Sequence, residues 1–166
     1  MFPWRRSRRP GEPARGGREE AARRELARRR DMAGAERVLG AGDLPVLGDV
    51  EPAYELGLEP GEEPFVRLPA ALLRELEEGG RVAYEVRERG QLVVTSRRLL
   101  FEGAGSTLEL GLERIERAQA PFLDVLEVAL FRGEMREVLV LPFQVEMPVT
   151  VAAFLSRLAG FRLELG

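Results

Sequence analysis

The sequence predicts a mainly β fold: a barrel of six or seven antiparallel strands closed by one C-terminal α-helix, with a separate N-terminal helix ahead of it. Three observations carry that reading. Between residues 81 and 143, short apolar segments recur at roughly ten-residue spacing with turn signals between them, as in an antiparallel sandwich or barrel. From residue 148 the period changes. Pro148 stands where a helix takes it at its first position, and Val151, Phe154, Leu155 and Leu158 follow at i, i+3, i+4 and i+7 before Gly160. Residues 18–39, by contrast, are dominated by Ala, Glu, Arg and Leu, strong helix formers with little apolar surface.

Residues 1–17 open with Phe2 and Trp4 beside Arg5, Arg6, Arg8 and Arg9, and continue through Pro10, Pro13, Gly16 and Gly17. So many breakers and so few apolar groups predict a basic, disordered arm without a packed core. The basic stretch is followed by no apolar region of about 7 to 15 residues, so it is not read as a signal peptide. In the helix over 18–39, Ala22, Leu26, Ala33 and Val38 make a thin apolar stripe, and Glu19 with Arg23 and Glu20 with Arg24 are spaced for i,i+4 ion pairs. A helix this polar is expected to be held weakly to the body, or not at all. Residues 40–59 mix Gly, Pro and carboxylates and read as an acidic linker, which leaves 60–163 as the domain.

Within the domain, residues 81–87 alternate Val82, Tyr84 and Val86 with Ala83 and Glu85. Residues 88–90 read as a short loop containing Gly, and 91–95 as the returning strand of a hairpin. Residues 97–102, 107–112, 123–131 and 137–143 supply further strands, with turns at 103–106 and 132–134. The final helix, over 148–159, carries four large apolar side chains. Their burial is worth roughly 1.5 to 3 kcal/mol each, enough to dock it on the barrel.

Composition narrows the chemistry. The 166 residues contain no Cys, His, Lys or Asn, so all 25 cations are Arg. That removes disulfides, thiolate nucleophiles, imidazole bases, the usual zinc ligands, Schiff-base lysines and a P-loop lysine. No metal and no cofactor is expected. The missing Lys and Asn are read as a codon effect of a GC-rich genome, which points to a bacterium. The net charge of -3 conceals a division: residues 1–30 hold 11 Arg against four Glu, a net of +7, so the remainder carries -10. Such asymmetry marks a tail and a body that meet different partners.

The string Gly90-Gln91-Leu92-Val93-Val94-Thr95-Ser96-Arg97-Arg98-Leu99-Leu100-Phe101 resembles the G-x-L-x-[VL]-T-[ND]-x-R-[LI]-[LIV]-F segment of GRAM-like and bacterial PH-like domains. Leu110-Gly111-Leu112-Glu113-Arg114-Ile115 is similar to a further step of that family, and Pro60-Gly61-Glu62 resembles the P-G-E that often opens it. Ser96 departs from the usual Asn or Asp, but its hydroxyl can close the same turn. The resemblance implies a PH-like barrel in which Gly90, Thr95, Arg98, Leu99, Phe101 and Ile115 are mostly structural. It does not extend to phosphoinositide recognition. The region matching the basic first hairpin of lipid-binding PH domains, residues 68–81, carries Glu75, Glu77 and Glu78 against Arg74 and Arg81.

Several side chains are weighed for chemistry. Arg97 and Arg98 could hold a phosphate, but the structural alternative, a guanidinium paired with a carboxylate over the barrel, is favoured. Asp124, Glu127, Glu134 and Glu137 fall on strand faces and turns as solvated carboxylates do, and Phe122, Phe131, Phe143, Phe154 and Phe161 are expected in the core. The arm is the one feature whose functional reading competes with a merely solubilising one. Phe2, Trp4, Arg5, Arg6, Arg8 and Arg9 match an anchor on an anionic membrane surface, and they would also suit nucleic acid or an acidic protein. The expected function is a non-catalytic PH-like binding or adaptor module with no small-molecule substrate. Its protein partner is unnamed by the sequence. It is expected in the cytoplasm, attached weakly at the inner face of the membrane, with nucleic acid as the lesser alternative.

Overall fold

A computed structural model describes residues 15–51, 53–132 and 137–165. In chain order the elements are α1 (Arg15–Gly40), β1 (Leu47–Gly48), β2 (Pro64–Glu78), β3 (Arg81–Thr95), β4 (Arg98–Gly103), β5 (Thr107–Gly111), β6 (Ile115–Phe122), β7 (Val125–Arg132), β8 (Glu137–Val145) and α2 (Pro148–Ala159). The fold is mainly β, with one helix before the sheet and one after it. Seven antiparallel strands lie in the order β5-β4-β3-β2-β8-β7-β6, so two meanders are fused where β2 pairs with β8 through Ala70 and Val145, Ala71 and Gln144, and Leu72 and Phe143. β5 and β6 end the sheet without pairing with each other, which leaves the barrel open. The two-residue β1 adds a parallel partner to β2.

The first hairpin differs from the expectation. Residues 88–90 form no loop. β3 runs unbroken from Arg81 to Thr95, and the turn is Gly79-Gly80, where φ values of 57° and 76° suit a two-residue turn of the kind favoured in hairpins. Gly90 lies within the strand, and a Cβ there would collide with the carbonyl oxygen of Glu102 on β4. Its role is close backbone approach rather than reversal of the chain.

One continuous core fills the barrel, with Val66, Leu92, Val94, Leu99, Phe101, Leu126, Val128, Leu130 and Phe143 at its centre. The side chains reach it by alternation: Leu92 and Val94 point inward, while Val93 joins Leu56 and Leu100 in a small cluster on the outer face. α2 closes the core against β6 and β7. Its residues Val151 to Leu155 are all buried, a wider face than the expected stripe, because α1 covers the side that the barrel does not.

That contact corrects the reading of α1 as a loosely held helix. Ala35 and Val38 are fully inside, and Asp31, 5% exposed, accepts the N–H of Val149 (2.9 Å) and of Thr150 (2.7 Å) and the Thr150 hydroxyl (2.7 Å). A carboxylate from one helix thereby caps the N-terminus of the other. In return the Arg157 guanidinium donates to the carbonyls of Val38, Ala41 and Gly42 at the end of α1. Ala22, Leu26 and Ala33 of the expected stripe are exposed. Residues 40–59 are likewise more than a linker, since they contain β1, bury Val50, and pack Leu56 against Val93 and Leu100 of the sheet.

Candidate functional site

The family-like strings meet in space. Thr95 ends β3 and Arg98 begins β4, and the Thr95 hydroxyl accepts the backbone N–H groups of Arg97 and Arg98, both at 3.1 Å. It donates to Oε2 of Glu62 at 2.5 Å. Arg98 grips the same carboxylate with two arms, Nε and Nη2, each at 2.9 Å, and uses Nη1 on Glu109 at 3.0 Å. Burial pushes the Glu62 carboxyl up, but the Arg98 and Thr95 hydrogen bonds and the N–H of Glu59 outweigh it and hold the pKa at about 2. The Glu62 hydrogen bond raises Arg98 against the opposing effect of desolvation. Arg97 is engaged as well, by Glu59 at 2.8 Å. Ser96 accepts the N–H of Glu63 and so closes the corner as its hydroxyl allows. Leu99, Phe101 and Ile115 lie in the core. These motif residues are therefore structural: the guanidinium of Arg98 is spent on two carboxylates.

Phe2, Trp4, Arg5, Arg6, Arg8 and Arg9 lie outside the described residues. Their cationic character continues into α1, where residues 16–30 are exposed throughout and carry Arg18, Arg23, Arg24, Arg28, Arg29 and Arg30 against Glu19, Glu20 and Glu25. Two i,i+4 pairs form, Glu20 with Arg24 at 2.6 Å and Glu25 with Arg29 at 3.0 Å. Arg18, Arg23, Arg28 and Arg30 make no ion pair among the described residues.

Arg24 and Arg28 also face a groove of about 700 Å³, whose other walls come from the far half of the β2–β3 hairpin and the turn between β6 and β7. Leu73, Val82, Tyr84, Val86, Phe122 and Val125 make it mainly apolar. Phe122 is 52% exposed and stacks edge-on against Tyr84, with ring centroids 5.9 Å apart; Phe131 is 49% exposed. Both depart from the expectation of a core position, whereas Phe143 and Phe154 fulfil it. The Tyr84 hydroxyl donates to Glu127 at 2.7 Å, and burial, followed by that carboxylate, raises its pKa. Glu127 also accepts from Gln119, and Asp124 from Gln144. Glu134 and the Glu137 side chain are outside the described residues. Among the described residues no three carboxylates gather to hold a metal ion.

No family model and no curated protein matches the chain. A solved structure, the C-terminal domain of an unknown protein from Leishmania infantum, is similar at 14% identity and a TM-score of 0.44, over 67% of this chain and 98% of that one. No helix among the described residues is long and apolar enough to cross a membrane.

Proposed function

We propose that this chain is a non-catalytic, PH-like binding module that attaches weakly to anionic membrane, at the cytoplasmic face, through its cationic N-terminal segment. The observation that carries the reading is α1 itself. Its C-terminal half is fixed to the barrel by Asp31, Ala35 and Val38, while residues 16–30 present six arginines to solvent. A helix pinned at one end keeps its arginines on the surface, next in sequence to those of the arm, and both sets of charges favour the same anionic surface. At about 1 kcal/mol per Arg, Arg5, Arg6, Arg8 and Arg9 alone supply roughly 4 kcal/mol, millimolar affinity; insertion of Trp4 and Phe2 and the added helix charge extend this toward micromolar. The body, at -10, is repelled by the same surface, which confines contact to the N-terminal segment.

The PH-like assignment is supported by the interlocking of Glu62, Thr95 and Arg98, which ties the two resembling strings together, and by a strand meander closed by a C-terminal amphipathic helix. The non-catalytic reading is supported by the lack of His, Cys and Lys. Co-sedimentation with anionic and neutral vesicles at low salt tests the attachment. The intact chain should pellet with anionic vesicles, less so after Trp4→Ala, and barely after joint replacement of Arg5, Arg6, Arg8 and Arg9 by Gln. Equal sedimentation of all three would remove the arm from the mechanism, and tight RNA binding without vesicle binding would assign the cations to nucleic acid.

A further inference from the structure

We infer that the groove under α1 binds a free, single-chain anionic amphiphile, of the class of a long-chain carboxylate. The helix docks through Asp31, Ala35 and Val38, spaced four and three residues apart on one face. Continued toward the N-terminus by the same spacing, that face presents Arg28 and Arg24. Where the face is small and apolar it is buried; where it becomes arginine, the groove of about 700 Å³ opens against it. Two arginine side chains thus line a trough of aliphatic and aromatic side chains. Arg24 is shared with Glu20, and Arg28 makes no ion pair among the described residues.

The size lies within the range of about 300–1,000 Å³ typical of small-molecule sites. The chemistry is divided as an amphiphile needs. Val82 and Phe122, each about half exposed, offer apolar surface to a chain, and the arginines offer charge-assisted hydrogen bonds to a carboxylate head. Asp124, on the sheet side and hydrogen-bonded to Gln144, repels the head and so sets the orientation of the ligand. A peptide suits the groove less well. The far half of the β2–β3 hairpin faces it with side chains, and a bound backbone would need N–H and C=O partners that an acyl chain does not. The site shares Arg24 and Arg28 with the row of arginines proposed to face the membrane, but its ligand is a free molecule and its apolar walls lie outside the arm, so the arm variant separates the two readings.

Calorimetric titration of the full chain with dodecanoate below its micelle concentration tests it, beside dodecyltrimethylammonium, which has the same chain and the opposite charge. One-to-one saturable binding of dodecanoate is expected. Binding should be about tenfold or more weaker for the cation, and weakened to a similar degree by the joint Arg24→Ala and Arg28→Ala changes. Phe122→Ser should weaken dodecanoate too, while the arm variant lacking Arg5, Arg6, Arg8 and Arg9 should bind it unchanged. Equal affinity for the two amphiphiles, indifference to loss of Arg24 and Arg28, loss of binding in the arm variant, or binding of an acidic apolar peptide but of no amphiphile would each overturn the proposal. The two arginines are exposed, so their replacement leaves the core intact and keeps the test decisive should Phe122→Ser fail to fold.

Discussion

Four donors converge on the carboxylate of Glu62, whose side chain has no exposure to water: two from Arg98, the Thr95 hydroxyl and the Glu59 N–H. Removing one partner of a buried pair leaves the other charge uncompensated, at a cost of about 3–5 kcal/mol. Arg98→Ala should therefore be among the most destabilising changes in the chain. The pH dependence has a definite sign. The Glu62 pKa is held at about 2 in the folded chain against an ordinary 4.5, so its contribution is complete above pH 4.5 and is lost as pH falls toward 2. Urea unfolding of the natural chain and of Glu62→Gln at stepped pH should show a gap on the order of 3 kcal/mol at neutrality that narrows below pH 4.5. A gap that stays constant with pH would contradict this assignment.

At the scale of elements, α1 is held by polar chemistry that a hydrophobic pattern does not reveal. Its docking face is Asp31, Ala35 and Val38, and a buried Asp reads in sequence as a solvated one until the N-terminus of α2, more than a hundred residues away, is placed beside it. Asp31→Ala should leave two backbone N–H groups of α2 uncapped and cost about 1–2 kcal/mol. Hydrogen exchange should then quicken at residues 31–39 while the central strands β3 and β7 keep their protection; uniform quickening would show that α1 and the barrel open as one unit. The strands themselves were largely legible. Alternation in Val82, Tyr84 and Val86 and the apolar runs of β4, β7 and β8 identified them, and Pro148 and Gly160 bracketed α2. β2 and β6 are the strands that sequence does not show, because PFVRLPAALLRELEE and IERAQAPF have little sustained alternation. Gly90 misled because a breaker in sequence can equally be a strand residue that lets a neighbour approach. The groove was not legible, since it is assembled from a helix, a hairpin and a turn far apart in the chain.

For the molecule as a whole, the governing fact is a division of charge along the chain: residues 1–30 carry a net +7, residues 31–59 a net -6 and residues 60–166 a net -4, and the arginine-rich α1 is pinned to the barrel by its C-terminal half. Either part alone is ordinary. On the proposed reading, the body stays off polyanions and the N-terminal segment seeks them, with ionic strength setting the balance. The attachment should accordingly fade as salt rises, whereas dodecanoate binding in the groove, driven in large part by apolar burial, should fade less. Hydrogen exchange of the intact chain on anionic vesicles tests the division most directly. The account predicts added protection in peptides covering residues 1–30 with the barrel strands unchanged. Protection gained on β2 to β8 while residues 1–30 exchange as they do in solution would contradict it.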